Sequence, residues 1–441
     1  MDKNSPKIGL VSLGCPKALV DSEVLINKLQ TLGYGISQTY DNADAVVVNT
    51  CGFLDSAKTE SLNAIGEALN ENGKVIVTGC LGSTPEFIRD SHPNVMAIAG
   101  PQKFNEVLDS IMQNIPIKSN PFEAKPSSSY VKLTPRHYSY LKISEGCNHK
   151  CSFCIIPSLR GPLKSRSMAS ILSEAKSLVE RGTKELLIIS QDTSAYGLDL
   201  KFEETIVNGK KHKTNIYNLV NELASLGIWV RLHYIYPYPH VKQLIPLMDQ
   251  NRVLPYLDVP FQHAHPDVLK RMARPSNNVH DLEQISEWRS INPDLSIRST
   301  FIVGFPGETE SEFNFLLDWL EEAKIDRVGC FKYEDVSGAR SNAMEGHLHD
   351  DIIQDRYDRF MSRAQQLSEL KLKEKIGKTF TCVIDSVEQD HLICRSIFDA
   401  PEIDGIVSVP NKQRYYRVGE HVTVKIKDSS EYDLEGELLI S

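Results

Sequence analysis

Three apolar stretches near the start of this 441-residue chain, each ending beside a cysteine, constrain its fold more than any other feature. The stretches are KIGLVSLGC, AVVVNTCGF and KVIVTGCLG, and the helical patterns DSEVLINKLQTLGY and AKTESLNAIGEALN lie between them. Continuous β-branched runs separated by helices are typical of a parallel sheet that is covered on both faces. We therefore predict an α/β fold that begins with such a sheet.

Cys15, Cys51 and Cys80 have the same position relative to these three predicted strands, just after the apolar run. The carboxyl ends of parallel strands meet at one edge of the sheet, where open α/β sheets bind their ligands. The pattern predicts that the three thiols emerge together at that edge. The alternative is that all three are buried as small apolar side chains.

A second alternation of strands and helices begins near Tyr140. Its six strand candidates are YLKIS, ELLIISQ, WVRLHYIY, YLDVPFQ, SIRSTFIVG and DRVGCFKY, with helical patterns such as ASILSEAKSLVERG and EFNFLLDWLEEA between them. Six strand–helix units predict a parallel barrel that is incomplete relative to the eight-stranded form. Barrels of this type keep their chemistry at the carboxyl ends of the strands.

Four short runs near the end of the chain, GKTFTCVIDSV, LICRSIF, GIVSVP and HVTVKIKDSS, predict a small antiparallel β-barrel. A helical pattern from about Asp351 to Lys375 leads into it, and the Pro/Ser-rich stretch PIKSNPFEAKPSSSY separates the first two units. We therefore predict domains over residues 1–120, 135–370 and 371–441.

The loop SEGCNHKCSFCIIPSLRG follows the first predicted barrel strand and contains Cys147, Cys151 and Cys154. A zinc site with three cysteines needs a fourth protein ligand or a water, and His149 is poorly spaced to close on the same ion. Closely spaced thiolates are typical of iron–sulfur clusters, and three thiolates on four irons leave one iron open to a small molecule. We predict such a cluster, with a zinc or purely structural site as the alternative.

The spacing CxxxCxxC, with the aromatic Phe153 before the last cysteine, resembles the signature of radical S-adenosylmethionine (SAM) enzymes. Nearly the whole chain resembles the radical SAM methylthiotransferases, on the stretches GCPKALVDSE, NTCGF, VTGCLG, EGCNHKCSFCIIPSLRG and STFIVGFPGETE. The resemblance implies an N-terminal methylthiotransferase domain, a partial (β/α)6 radical SAM barrel and a C-terminal TRAM β-barrel.

The resemblance also implies two 4Fe–4S clusters and SAM as cofactors. The three cysteines of the barrel loop would hold the cluster that binds SAM, while Cys15, Cys51 and Cys80 would hold a second cluster that carries the sulfur. One SAM would methylate that sulfur, and another would supply the radical that activates the substrate carbon. We therefore expect the edge of the first sheet to face the mouth of the barrel.

Four other residues are candidates for contacts to SAM, namely Phe153, Gln191, Gly304 and Glu308. Gln191 follows the second barrel strand, although the polarity of a surface loop explains it nearly as well. The turn GFPGE over 304–308 has the glycines of a close backbone approach, and the resemblance places SAM nearby. Arg160 after the cluster loop either meets a carboxylate of SAM or substrate or belongs to a solvated basic loop. No residue is predicted as a general acid or base.

Two branches of the resembled family differ in substrate, which is an aspartate of small-subunit ribosomal protein S12 or an adenosine in tRNA. The stretches CPK after Gly14, LHYIYPYP, LDVPFQHAHPDVLKRMARP and DAPEIDG resemble the ribosomal-protein branch. Residues 371–441 contain ten Lys/Arg and thirteen Asp/Glu, a balance that repels tRNA phosphates and attracts a basic ribosomal protein. We expect a methylthio group to be inserted at the β-carbon of the S12 aspartate, with tRNA as the alternative substrate.

The cellular setting is predicted from composition. The chain has no apolar run of transmembrane length, and its first residues lack the layout of a signal peptide. We therefore expect a cytoplasmic protein, in which the nine cysteines stay reduced. Reduction of a radical SAM cluster also requires a low-potential electron donor, for which a ferredoxin or flavodoxin is the natural expectation.

Overall fold

The computed structural model describes residues 5–117, 130–250, 252–274, 281–411 and 415–439. Within these ranges three units follow one another along the chain, each with an apolar core of its own. The predicted linker lies largely outside the described residues. No described helix is both long enough and apolar enough to span a membrane.

The first unit is a parallel sheet between two layers of helices. Its elements are β1 (Lys7–Ser12), α1 (Pro16–Thr31), β2 (Gly35–Ser37), β3 (Ala45–Thr50), α2 (Asp55–Glu71), β4 (Val75–Gly79), α3 (Pro85–Ser91), β5 (Ala97–Ile98) and α4 (Phe104–Asn114). The strand order is β2-β1-β3-β4-β5, with every pairing parallel. Val47 of β3 packs with α1 and α4, whereas Val46 and Val48 pack with α2 and α3, so both faces of the strand are buried.

The second unit is a six-stranded parallel barrel that does not close. Its elements are β6 (Tyr138–Lys142), β7 (Ser144–Glu145), α5 (Ile156–Arg160), β8 (Lys164–Ser165), α6 (Met168–Glu180), β9 (Glu185–Ile189), β10 (Glu204–Val207), β11 (Lys210–Lys213), α7 (Ile216–Ala224), β12 (Trp229–Leu232), α8 (Ile245–Asp249), β13 (Tyr256–Asp258), α9 (Pro266–Arg271), α10 (Asp281–Ile291), β14 (Ser296–Val303), α11 (Glu310–Ala323), β15 (Arg327–Lys332) and α12 (Asp350–Lys373). The barrel strands lie in the order β15-β14-β13-β12-β9-β6.

The third unit is a closed five-stranded barrel in the order β16-β17-β18-β20-β19, formed by β16 (Thr379–Val387), β17 (His391–Ser396), β18 (Val407–Pro410), β19 (His421–Ser429) and β20 (Leu434–Leu438). Its pairings are antiparallel except for the parallel pair of β18 and β20. The predicted fold class, with a parallel-sheet domain, a partial parallel barrel and a small β-barrel, is confirmed.

Several predicted elements differ in extent from those observed. The predicted strand WVRLHYIY ends at Leu232, because Tyr234 has a φ of +57° that no extended strand accommodates. The short strands β2, β5 and β20 and the hairpin of β10 and β11 were missed, since two to five residues carry little periodic signal. The proposed domain boundaries stay a prediction, and the helix α12 runs past the boundary at 370 to Lys373.

The segment from Arg395 to Asp404, which comprises the end of β17 and the loop after it, closes the amino-terminal end of the central barrel, and we call it the plug. It contacts one of the first three residues of every barrel strand. The contacts join Glu402 to Tyr138 (2.7 Å), Arg395 to Glu185 (2.7 Å), the Ile397 carbonyl to Arg231 (3.0 Å), Asp404 to Tyr256 (2.7 Å), the Phe398 carbonyl to Ser296 (3.2 Å) and Asp399 to Arg327 (3.0 Å).

The contacts of the plug are mostly buried and charged. The side chains of Glu185, Arg231 and Arg395 are each at most 2% exposed, and Glu185 pairs with both arginines. Removing one partner from such a group leaves a buried charge without compensation, which costs about 3–5 kcal/mol. The C-terminal barrel is therefore a fixed part of the central barrel.

Candidate active site

Cys15, Cys51 and Cys80 come together at the carboxyl edge of the first sheet, and we call them the sheet-edge triad. Cys15 precedes the first residue of α1, while Cys51 and Cys80 directly follow β3 and β4. A methyl group on Gly14 would lie 3.3 Å from the Cys51 sulfur, and Gly14 has a φ of +93°. The glycine therefore allows the loop after β1 to approach Cys51 in a conformation that other residues rarely adopt.

The thiols of the sheet-edge triad interact electrostatically with one another. Burial, together with the neighbouring thiols of Cys15 and Cys51, raises the pKa of Cys80 to about 11 against the lowering effect of Arg160. Burial and Cys15 also raise the pKa of Cys51. Desolvation opposes ionisation of Cys15 as well, but Lys17, the backbone N–H of Ala18 and Arg160 together lower the pKa of this thiol. The three sulfurs thus lie close enough to influence one another's ionisation.

Cys147, Cys151 and Cys154, the loop triad, lie in the segment between β7 and α5 at the mouth of the central barrel. The backbone N–H of His149 donates to the Cys147 sulfur at 3.4 Å, and the N–H of Cys154 donates to the Cys151 carbonyl at 3.2 Å. Burial raises the pKa of Cys147 to about 11 and that of Cys154 to about 12, with the neighbouring thiols adding to both shifts.

The spacing of the sulfurs distinguishes a cluster from a single ion. Three thiolates bound to one zinc ion at about 2.3 Å lie roughly 3.8 Å apart. Within the described ranges, neither triad has all three sulfurs within 4.8 Å of one another. The Nε2 of His149 is engaged by other groups, since it lies 2.9 Å from Asp192 and 3.0 Å from the Tyr238 hydroxyl. The arrangement fits a multi-iron cluster better than zinc.

A cavity of about 280 Å³ lies in front of the loop triad, and all three of its cysteines line it. Most of the other lining groups are aromatic or come from the carboxyl ends of barrel strands, including Tyr234, Tyr236, Asp258 and Thr300. Phe53, two residues after Cys51, also lines this cavity. The edge of the first sheet therefore faces the mouth of the barrel, as expected from the sequence.

Of the four predicted SAM contacts, two line the cavity. Phe153 and Gln191 belong to its wall, and Gln191 donates to Glu145 at 2.6 Å while its carbonyl oxygen is buried without a hydrogen-bond partner among the described residues. Gly304 and Glu308 instead form a buried turn. The Glu308 carboxylate accepts from the Gly304 N–H at 3.1 Å and from Arg356 of α12 at 2.7 Å. That geometry ties the barrel to α12, and a role of these two residues in SAM binding stays a prediction.

Two arginines of the cavity wall were not predicted. The Cζ of Arg274 lies 4.8 Å from the centroid of the Tyr236 ring, and its Nη1 lies 3.9 Å from the Cys151 sulfur. Arg298 of β14 pairs with Asp258 at 3.0 Å, and the hydrogen bond from His233 together with this cation holds the pKa of Asp258 well below its usual range despite burial. Alternation along β14 points Arg298 and Thr300 inward, since Ile297 and Phe301 belong to the helix-facing core. That alternation is the signal in the sequence that could have identified Arg298.

Comparison with known proteins places each unit in a family. Residues 7–100 match the uncharacterized protein family UPF0004, residues 141–320 match the Radical SAM superfamily, and residues 376–439 match the TRAM domain. The structure of the radical S-adenosylmethionine methyltransferase TsrM from Kitasatospora setae has a TM-score of 0.53 and 15% identity, and covers 74% of this chain and 75% of its own. At this identity, the likeness shows the fold alone.

Relatives that match nearly the whole chain carry a more specific name. The ribosomal protein uS12 methylthiotransferase RimO of Roseobacter denitrificans is 58% identical, over 98% of this chain and 94% of its own length. The protein of the same name from Stenotrophomonas maltophilia is 54% identical, over 100% of this chain and 97% of its own length. The chain therefore belongs to the radical SAM methylthiotransferases, in the family of the ribosomal protein uS12 methylthiotransferases.

Proposed function

We propose that this enzyme inserts a methylthio group at the β-carbon of an aspartate in ribosomal protein uS12, using SAM and two 4Fe–4S clusters. One observation carries the proposal. The loop triad lines a cavity whose wall also contains Phe53, two residues after Cys51 of the sheet-edge triad, so the two separate triads of thiols lie on neighbouring parts of the molecule. An enzyme that must both generate a radical and deliver sulfur needs two such sites side by side.

The residues present fit the two clusters. Each triad offers three thiols, one fewer than a fully ligated 4Fe–4S cluster requires, so one iron in each remains open. Buried polar atoms without partners among the described residues lie next to each site, namely the Gln191 carbonyl oxygen and the Nη2 of Arg160. Unsatisfied buried groups cost free energy and are rare in folded proteins, so both atoms suit partners that a bound group supplies.

We assign the loop triad to the cluster that binds SAM and the sheet-edge triad to the cluster that holds sulfur. When bound, a reduced cluster with SAM supplies a radical that removes hydrogen from an unactivated carbon. The protein orients the reactants and excludes water. Phe153, Tyr234 and Tyr236 give the cavity an aromatic lining, and Gln191 belongs to its wall. Arg274 beside the loop triad provides a cation for a carboxylate.

The aspartyl substrate is supported by the two near full-length relatives described above, both named for ribosomal protein uS12. These relatives do not favour the tRNA alternative. The formal net charge of −9 agrees with this choice, since an acidic protein attracts a basic ribosomal protein and repels nucleic acid. A low-potential ferredoxin or flavodoxin as electron donor, and a cytoplasmic location, complete the proposal.

Iron content and SAM cleavage test the two cluster sites. The anaerobically reconstituted enzyme is expected to bind about eight irons and, when reduced, to release deoxyadenosine from SAM. Cys51→Ala should bind about four irons and still cleave SAM, whereas Cys151→Ala should bind about four and cleave none. Cys394→Ala, which changes a cysteine buried in the C-terminal core, serves as the matched control and should keep both clusters. Zinc in place of iron would contradict the proposal.

A second experiment tests the substrate. Reconstituted enzyme, SAM, sulfide and reductant are incubated with small ribosomal subunits and, separately, with tRNA lacking the methylthio group. We expect a mass increase of one methylthio group on an aspartate of uS12 and none on tRNA. A mass increase that appears only on tRNA would refute the proposed substrate.

A further inference from the structure

Arg160 is the last residue of α5, six residues after Cys154, and is not part of a solvated loop. Its side chain is 2% exposed. It extends away from the cavity of the loop triad toward the first unit, where it reaches the sheet-edge triad. Arg160 is therefore close to the loop triad in sequence, but its side chain contacts the sheet-edge triad.

The guanidinium of Arg160 is held from one side by two carboxylates. Its Nη1 donates to Asp21 of α1 at 3.1 Å and to Glu145 of β7 at 2.9 Å. Lys142 pairs with the same two carboxylates, at 2.9 Å to Glu145. Two cations and two anions thus form a neutral buried network between the first unit and the barrel.

The other side of the guanidinium faces the sheet-edge triad. Its Nε donates to the Cys80 sulfur at 3.2 Å. Its Nη2 is buried and has no hydrogen-bond partner among the described residues. Because the guanidinium is planar, Nε and Nη2 donate along one edge and in nearly the same direction. The unpaired donor therefore points to the side on which the three thiols lie.

We propose that Arg160 is a positioning residue for the group held by Cys15, Cys51 and Cys80. Its Nε donates to the Cys80 thiolate, and its Nη2 donates to a second sulfur of that group. The inference rests on the proposed function, since it requires the sheet-edge triad to hold a cluster. It adds a specific consequence, which is that Arg160 sets the reduction potential of that cluster.

The physical reason is the charge of the cluster. Hydrogen bonds to its sulfurs and a nearby cation stabilise the more negative, reduced state and so raise the reduction potential. The carboxylates of Asp21 and Glu145 keep the guanidinium in place, because they accept from its Nη1 at 3.1 Å and 2.9 Å. Arg160 is thus fixed rather than mobile, as a donor to a rigid cluster must be.

The test uses full-length protein in which Cys147, Cys151 and Cys154 are all changed to alanine, so that only the sheet-edge cluster is loaded. The reduced fraction is measured by electron paramagnetic resonance at the ambient potential that half-reduces this parent. We expect Arg160→Gln to lower the ratio of reduced to oxidised cluster about tenfold, which for one electron corresponds to about 59 mV. Arg160→Lys keeps the positive charge but lacks the two parallel N–H donors of the guanidinium. It should therefore give an intermediate ratio of reduced to oxidised cluster.

Arg359→Gln is the matched control, because Arg359 pairs with Glu310 and Asp355 on the barrel surface, and this variant should give the same ratio as the parent. An unchanged ratio in Arg160→Gln, or full rescue by lysine, would overturn the inference. If Arg160→Gln cannot be loaded with iron, Arg160→Lys is compared with the parent instead. A lower ratio of reduced to oxidised cluster in Arg160→Lys would then support the inference, and an equal ratio would overturn it. A parent that binds no cluster would refute the proposed function itself, whereas a loaded parent that is insensitive to Arg160 would refute the inference alone.

Discussion

The ammonium nitrogen of Lys17 lies 3.2 Å from the centroid of the Tyr234 ring. Lys17 is two residues after Cys15 in the first turn of α1, and Tyr234 lines the cavity of the loop triad. One cation–π contact therefore connects the two cysteine sites. Because Lys17 is buried, such a contact contributes about 2 kcal/mol.

A double-mutant cycle measures this contact. Lys17→Met, Tyr234→Leu and the double variant are unfolded in urea, and their free energies of unfolding are compared. We expect a coupling energy of about 1–2 kcal/mol. Lys28 and Phe104, whose ammonium and ring centroid are 5.9 Å apart within the first unit, form the control pair and should couple less. Strictly additive effects at Lys17 and Tyr234 would contradict the contact.

Gly14→Ala is expected to remove the sheet-edge cluster. Its new methyl group would lie 3.1 Å from the Cys51 Cβ and would require a φ of +93°. The measured iron content should fall from about eight to about four per chain while SAM cleavage persists. Gly182→Ala is the control, because its φ of +102° imposes similar backbone strain but no atom lies within 4 Å of the added methyl. Full iron content in Gly14→Ala would show that the loop can move aside.

Glu185 makes the stability of the enzyme depend on pH under acidic conditions. Burial alone would raise its pKa, but Arg395 and Arg231 lower the pKa to about 2. An unfolded glutamate has a pKa of about 4.3, so the contribution is complete above that pH and is lost as pH falls toward 2. We expect the urea midpoint to decrease as the pH falls from about 4.3 toward 2.

Glu185→Gln should flatten this part of the pH dependence, because the group that binds a proton on acidification is gone. Glu437→Gln removes an exposed ion pair with Lys427 and is the control, since such pairs contribute about 0–1 kcal/mol. Equal slopes in wild type and Glu185→Gln would mean that another carboxyl group controls acid unfolding.

The plug is expected to be essential for the stability of the central barrel. Asp399→Asn leaves the buried Arg327 of β15 without its carboxylate, which should cost about 3–5 kcal/mol. The measurement is urea unfolding monitored by tryptophan fluorescence, since Trp229, Trp288 and Trp319 all belong to the central unit. Asp390→Asn, at an exposed position of the same domain, is the control. A loss limited to the C-terminal barrel, with unchanged tryptophan signal, would contradict a fixed plug.

Much of the fold could be predicted because its signals are local. The runs before Cys51 and Cys80 are apolar on both faces, and this alone indicates a parallel sheet with both thiols at one edge. The strand containing Tyr234 was predicted too long, since its β-branched and aromatic residues suit a strand while the backbone turns there. In this conformation the Tyr234 N–H donates to the Asp258 carboxylate of the next barrel strand at 3.2 Å, a tertiary contact that residue propensities do not include.

The sequence by itself determined the two cysteine triads, the order of the three units and the family, because each depends on spacing along the chain. Only the tertiary structure decided the partners of Arg160. Two of them, Cys80 and Asp21, precede it in the chain by 80 and 139 positions, respectively. It also decided that the C-terminal barrel closes the central one through Asp399, and that Glu308 pairs with Arg356. The reason is physical. A charged side chain is buried where opposite charges from distant segments pair with it. The spacing of residues along the chain does not show which distant segments come together in the fold.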